Sequence, residues 1–236
     1  MPEAIIITPV KDSLGTTKLT IEAISKAEGD FEYYVFNDFS TDATKKFLEE
    51  AQQKFNFKLI NLEDITSTPS PNYKLVLEMA QKMALERKCP LIVIESDVII
   101  QPKTITSLFS VLKSEKKAGI VGAITVDKNG NYNFPYTFEK IKSNTVLNTS
   151  HSLSFCCTLL SNEFLEQFSF ADLSEKKDWY DIYISRQSKK MGFNNYLAKG
   201  IEVIHLPHSS RPWKQLKYKN PILYYIRKYL KKRDKI

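Results

Sequence analysis

Glycine is scarce in this chain: 7 residues in 236. There is no Gly-x-Gly-x-x-Gly and no Walker-type loop, so backbone amides of a glycine-rich turn are not what would hold a phosphate here. A bound phosphate would need side chains and a metal ion. Cysteine is scarce too. Cys89, Cys156 and Cys157 are an odd set without ligand spacing, which argues against a disulfide framework or a zinc site. They read as small buried hydrophobes, with Cys156 and Cys157 pointing to opposite faces if both lie on a strand. No apolar run approaches the ~18–20 residues that span a bilayer. The N-terminus has an acid, Glu3, where a signal peptide carries basic residues, so a cytoplasmic location is expected. No Gly-x-Ser-x-Gly elbow is present, which removes the commonest serine-hydrolase arrangement.

What is present is an ordinary globular composition, 42% hydrophobic and 26% charged. The net charge of +7 is uneven. From Arg211 onward ten Lys and Arg stand against one Asp, leaving 24 basic against 26 acidic residues before it. The body is close to neutral, which excludes a nucleic-acid binder with a basic surface throughout.

Along the chain, apolar runs alternate with amphipathic ones. Strands are expected at Ala4–Val10, Phe31–Phe36, Phe57–Leu62 and Pro90–Ile94, and helices at Thr16–Ala27, about Ser40–Phe55 and Tyr73–Arg87. The second half reads as strands at Ala118–Val126, Val146–Leu160 and Ile201–Ile204, with helices at Ser161–Phe168 and Ser174–Met191. The alternation predicts an α/β fold, a mostly parallel central sheet with helices on both faces. Its ligand crevice lies beyond the carboxyl ends of the strands. One domain over 1–210 and a basic amphipathic tail over 211–236 are expected.

Polar clusters fall at those strand ends. Glu95-Ser96-Asp97 follows the apolar Leu91–Ile94, and two carboxylates there suit a hard divalent cation, Mg²⁺ or Mn²⁺. A solvated strand end is the plainer reading. Asp38 follows Tyr33–Phe36 and is placed either to accept from a base or ribose, or to make an Asx-turn or helix cap. Asp178 and Asp181, three apart, would share a helical face, one of them a candidate general base, unless both pair with Lys177 or Lys189. His205 follows a short apolar strand and is a metal or phosphate ligand or a structural histidine; His208 is the weaker candidate.

Together these segments resemble the large inverting glycosyltransferase family with the GT-A fold that includes bacterial cell-surface polysaccharide enzymes. Ile6–Asp12, with Pro9 and Val10, looks like its opening strand and turn. Asn37-Asp38-Phe39-Ser40-Thr41-Asp42-Ala43-Thr44 is similar to its Asp-Asp-x-Ser-x-Asp-x-Thr segment. Asn72-Tyr73-Lys74 matches the entry to its third helix, Glu95-Ser96-Asp97 its Asp-x-Asp, Tyr180-Asp181 its Glu-Asp, and His205 to Ser209 its late His-x-x-x-Ser. Asn37, Glu95, Val98 and Tyr180 depart from the family pattern.

The resemblance implies transfer of a sugar from a nucleoside-diphosphate sugar, a UDP- or GDP-sugar, to an acceptor hydroxyl with inversion. Pro9, Val10, Asp38, Lys74, Ser96 and Asp97 would bind the donor; Glu95, Asp97 and His205 would hold Mn²⁺ or Mg²⁺; Asp181, with Asp178, would act as base. A glycan or lipid-linked acceptor, in surface polysaccharide or glycolipid synthesis, is implied. The alternatives are a sugar-phosphate nucleotidyltransferase, for which Gly15 alone is a poor phosphate loop, and a catalytically silent GT-A-like interaction module. In the tail, Ile222, Tyr225, Ile226, Tyr229 and Leu230 recur at helical spacing beside Arg227, Lys228, Lys231 and Lys232. That pattern suits a helix lying on an anionic membrane surface at the inner face, or one packed on the domain.

Overall fold

The computed structural model describes residues 2–137, 139, 141–174, 179–207 and 220–230. β1 (Ala4–Val10) is flanked by β2 (Phe31–Asn37) and β4 (Leu91–Ile94), and β3 (Lys58–Asn61) lies beyond β2, all parallel. α1 (Leu14–Ile24), α2 (Asp42–Lys54) and α3 (Tyr73–Arg87) make the crossovers. The second half adds β5 (Val98–Ile99), α4 (Thr104–Ser114), β6 (Ala118–Val126), β7 (Val146–Asn148), β8 (Cys157–Leu160), α5 (Asn162–Gln167), α6 (Tyr180–Lys190), β9 (Asn194–His205) and α7 (Pro221–Leu230). The sheet order is β3-β2-β1-β4-β8-β6-β9-β5, with β7 on β9. β8 runs antiparallel to β4 and β6, while β6 and β9 are parallel. The architecture is GT-A: a curled, mostly parallel sheet between helices.

The continuous apolar runs follow from coverage on both faces. In β1, Ala4, Ile6 and Val10 enter one core and Ile5 and Ile7 the other. In β4, Ile92 and Ile94 divide from Leu91 and Val93 in the same way. Each such fully buried Ile or Leu contributes roughly 1.5–3 kcal/mol relative to exposure. Gln81 joins α3 to the α5 region: its Nε2 donates to the carbonyls of Leu165 (2.8 Å) and Phe168 (2.6 Å), and its Oε1 accepts from Phe170 N at 2.7 Å. Gly119 marks a close approach. A Cβ there would lie 2.5 Å from Ser188 Oγ and 2.7 Å from Phe193 Cβ.

Several expectations need correction. The run Val146–Leu160 is not one strand. It divides into β7 and β8, and residues 149–156 between them form a loop pinned by side chains. β9 begins at Asn194, seven residues before the expected Ile201, because its centre is buried against β6 and β7 and shows no clean alternation. α1 starts two residues earlier and ends three earlier than expected. α4 and β5 went unrecognised. Asp178, His208, Ser209 and Ser210, Lys231 and Lys232 lie outside the described residues.

Candidate active site

The site is built where β1, β2 and β4 end. Glu95, Ser96 and Asp97 form a turn rather than a continuing strand: Val98 N donates to Glu95 O at 3.2 Å, and β5 begins at once. β5 pairs antiparallel with the end of β9, Val98 opposite His205, and Leu206 N donates to Asp97 O at 2.8 Å. This register carries His205 to Asp97, leaving Nε2 3.5 Å from Asp97 Oδ2. Both residues are buried.

The other ring nitrogen fixes the histidine. His205 Nδ1 lies 2.7 Å from Phe134 O, and Asn133 Nδ2 donates to His205 O at 2.9 Å. A carbonyl only accepts, so Nδ1 carries the hydrogen, which leaves Nε2 either to donate to Asp97 when protonated or to offer its lone pair to a cation. Asp97 Oδ1 is buried with no hydrogen-bond partner among the described residues. A buried carboxylate oxygen without a donor is costly unless a cation is its partner. An imidazole nitrogen and carboxylate oxygens are a donor set that a divalent ion accepts, so the residues present fit the metal their chemistry implies.

Glu95 closes the group. Its N donates to Cys156 O at 3.0 Å, Cys156 Sγ lies 3.5 Å from Glu95 Oε2, and one ligand atom each of Glu95, Cys156 and His205 fall within 4.8 Å of one another. Burial first, then the charges of Asp97 and Asp181, push the Glu95 carboxyl up to about 7, against the pull of His205. Burial pulls the His205 imidazole down, but Asp97, Glu95 and the Phe134 carbonyl outweigh it, and the net direction is up. Asp181 is in the first turn of α6, its Oδ1 accepting from Ile182 N at 2.8 Å. Its charge acts on Glu95, so the α6 acid lies near the strand-end acids.

Tyr73, at the start of α3, belongs here as well. Its ring centroid is 6.2 Å from that of Tyr180, and its hydroxyl is buried with no hydrogen-bond partner among the described residues. Burial, then Glu95, Asp181 and Cys156, hold its pKa well above the usual phenol value. Neither Tyr73 nor Cys156 stood out as a site residue in sequence. Adjacent cysteines read as core, and Cys157 is indeed core, but Cys156 precedes β8 and turns its sulfur to Glu95.

The remaining candidates line the rim. Asp38 N donates to Val10 O at 2.8 Å, tying the ends of β1 and β2. The Asp38 carboxylate does not cap α2. It accepts from Ser70 Oγ (2.7 Å), Asn72 N (2.9 Å) and Asn72 Nδ2 (2.8 Å), anchoring the loop that enters α3. Asn37 Nδ2 donates to Asn61 Oδ1 at 2.9 Å, an amide pairing that a second aspartate would not make. Asp12 Oδ1 accepts from Thr41 N at 2.7 Å and Ser40 Oγ accepts from Asp12 N at 2.8 Å, locking the first two crossover loops together. Pro9 and Ser96 are half-buried, and Lys74 pairs with Glu78 at 3.3 Å.

The profile of glycosyl transferase family 2 matches residues 5–168. The chain belongs to that family. The match takes in the Asn37–Thr44 segment, the Glu95–Asp97 turn and Cys156, while Asp181 and His205 fall beyond it. Solved structures of the same fold include the mannosyltransferase PcManGT of Pyrobaculum calidifontis in complex with GDP-Man and Mn²⁺. It is 11% identical, with a TM-score of 0.67, over 98% of this chain and 64% of that one. S. aureus TarS 1-349 in complex with UDP-GlcNAc is 16% identical, TM-score 0.64, over 89% of this chain and 60% of that one. GalNAc-T7 with UDP, GalNAc and Mn²⁺ is 12% identical, TM-score 0.66, over 89% and 44%. The family 2 chain thus spans less than two thirds of the length of these neighbours. A search of curated protein sequences gives no match.

Proposed function

We propose that this family 2 protein transfers a sugar from a nucleoside-diphosphate sugar to an acceptor hydroxyl, with a divalent cation and with inversion at the anomeric carbon. The observation that carries the reading is the Asp97–His205 pair, 3.5 Å apart and buried, with Asp97 Oδ1 lacking a donor among the described residues. Asp97 and His205 would hold Mn²⁺ or Mg²⁺, with Glu95 reaching either the ion or the donor ribose. The ion, when bound, neutralises charge on the departing nucleoside diphosphate. Pro9, Val10, Asp38, Lys74 and Ser96 border the donor site. Asp38 acts there through the Ser70–Asn72 loop that its carboxylate holds. Three of the structural neighbours carry GDP-Man, UDP-GlcNAc or UDP, and two carry Mn²⁺, which supports this class of donor and this ion.

Asp181 is the base. It would take the acceptor proton as the hydroxyl attacks the anomeric carbon from the face opposite the diphosphate. One base and one stabilised leaving group give a single displacement, hence inversion; retention through a covalent intermediate needs a second carboxylate as nucleophile. Titration calorimetry with UDP and GDP, with and without Mn²⁺, tests the donor half, and turnover of Asp181→Asn tests the base.

The acceptor is read as a glycan or lipid-linked sugar, in surface polysaccharide or glycolipid synthesis. α7 supports a membrane-proximal setting. Its Ile222, Tyr225, Ile226, Tyr229 and Leu230 are all exposed, Tyr229 at 85%. Asn220 Oδ1 caps the helix by accepting from Leu223 N at 3.0 Å. An exposed apolar stripe in a basic segment suits the interface of an anionic leaflet, on the cytoplasmic side. Among the described residues no helix is long and apolar enough to cross a membrane.

A further inference from the structure

A second cleft, of about 240 Å³, lies along α6, away from the carboxylates. One wall is the loop Ser150-His151-Ser152; the other carries Arg186, Lys189 and Lys190, and Ser185 forms the floor. Among the described residues no acidic side chain lines it. Lys189 Nζ donates to Asn148 Oδ1 at 2.9 Å, a neutral partner, and pairs with no carboxylate among the described residues. Arg186 and Lys190 are exposed and make no hydrogen bond or ion pair among the described residues. The last turn of a helix favours cations, which accounts for Lys189 and Lys190. It does not account for Arg186, a turn further in, or for His151 on the facing loop.

The cleft is tied to the candidate site by two routes. Asp181, Ser185 and Lys189 stand at i, i+4 and i+8 and so share one face of α6. At a rise of about 1.5 Å per residue, Arg186 and Lys189 lie roughly 8 and 12 Å along the axis from Asp181. The loop itself is held: Ser185 Oγ accepts from Leu153 N at 3.0 Å, and Ser154 N donates to Tyr136 Oη at 3.0 Å. Two residues on, Cys156 touches Glu95. One short rigid segment therefore walls both the basic cleft and the carboxylate cluster.

We propose that this cleft binds a phosphate group of the acceptor, so that the acceptor is a phosphate ester whose attacking hydroxyl lies on the order of 10 Å from its phosphate. Arg186 supplies paired N–H donors to phosphate oxygens, Lys189 and Lys190 add charge and donors, and His151 adds a ring N–H. The proposal rests on Asp181 being the base at the acceptor side.

The test uses the full chain in EDTA, which leaves the donor site without a cation and its carboxylates repelling anions. Glycerol phosphate is titrated while the His151 ring-proton resonance is followed, identified by its loss in His151→Asn. The phosphate ester should shift that signal saturably, glycerol should not, and Arg186→Gln/Lys189→Gln should weaken binding at least tenfold. The same variant should keep its Mn²⁺-dependent affinity for a nucleoside diphosphate. That measurement reports on the donor reading separately, so the two ideas fail independently. No shift of His151, or equal affinity in the variant, overturns the proposal. So does a lipid result: if the variant loses binding to phosphatidylglycerol vesicles while glycerol phosphate shifts nothing in either protein, the cleft meets a membrane instead of a soluble acceptor.

Discussion

Asp97 and His205 depend on each other. The imidazole is aimed by a backbone carbonyl, and the carboxylate has one oxygen toward that ring and one without a donor among the described residues. Asp97→Asn puts an amide where the ion's charge needs an anion. Mn²⁺ affinity should then fall at least tenfold, the usual scale for a lost charged ligand interaction. Electron paramagnetic resonance of free Mn²⁺ measures it, and unchanged Mn²⁺ uptake would refute the assignment. Asp181→Asn leaves size and helix position intact but cannot accept a proton. Turnover should drop about 10²–10⁴-fold with donor affinity retained. An active Asp181→Asn enzyme would move the role to Asp178.

Glu95, Asp97 and His205 were legible as candidates because each stands at or just beyond the end of an apolar run, where the crevice of an α/β sheet lies. Tyr73 was visible only as part of a helix entry, and nothing distinguishes Cys156 from Cys157 without the loop that precedes β8. Asp38 was legible as a strand-end acid placed for a base or ribose, or for an Asx-turn or helix cap; what sequence did not show is that its carboxylate holds Ser70 and Asn72.

At the scale of elements, β1 to β4 follow from sequence because strands buried on both faces are uninterrupted apolar runs, bounded by helices of clear period. β7, the loop 149–156 and β8 do not. The stretch is mostly apolar and small residues, and hydrogen bonds that sequence does not show, among them those from Ser185 and Tyr136, divide it. β9 was underestimated because Gly200 and Lys199 interrupt its pattern, although Lys199 is buried and pairs with Glu139 at 2.8 Å. Two predictions belong here. Gly119→Ala would force β6 from α6 and the Phe193 turn, costing on the order of 1–3 kcal/mol as overpacking does. A Tm within a degree of the parent would contradict the close approach. For α7, replacing Ile222, Ile226 and Leu230 by Ser should abolish flotation with anionic vesicles at low salt, if its exposed stripe is the membrane contact. Equal flotation of the two proteins would remove α7 from that role.

For the molecule as a whole, the acidic cluster couples stability to pH and metal. Glu95 is pushed up to about 7, and His205 is also raised. Both groups therefore bind protons more tightly folded than unfolded, so protonation stabilises the fold and rising pH removes that contribution. Without metal, melting temperature should decline from about pH 4.5 to about pH 7, the window between the ordinary carboxyl value and the raised one. Glu95→Gln should flatten the decline, by on the order of 1 kcal/mol or about 2–4 °C in a chain this size. Mn²⁺ competes with those same protons, so its stabilising effect should be larger at the higher pH. A metal-free melting curve that rises through the window would contradict the coupling.

The central claim, that the strand-end acids and His205 form a metal-dependent nucleoside-diphosphate site, meets its most direct test in calorimetry. UDP and GDP are titrated into the protein with Mn²⁺ and with EDTA, and into Asp97→Asn with Mn²⁺. One of the two nucleotides should bind with Mn²⁺, and its affinity should fall at least tenfold in EDTA and in the variant. Binding that is indifferent to both metal and Asp97, or no binding of either nucleotide with Mn²⁺ present, would contradict the account.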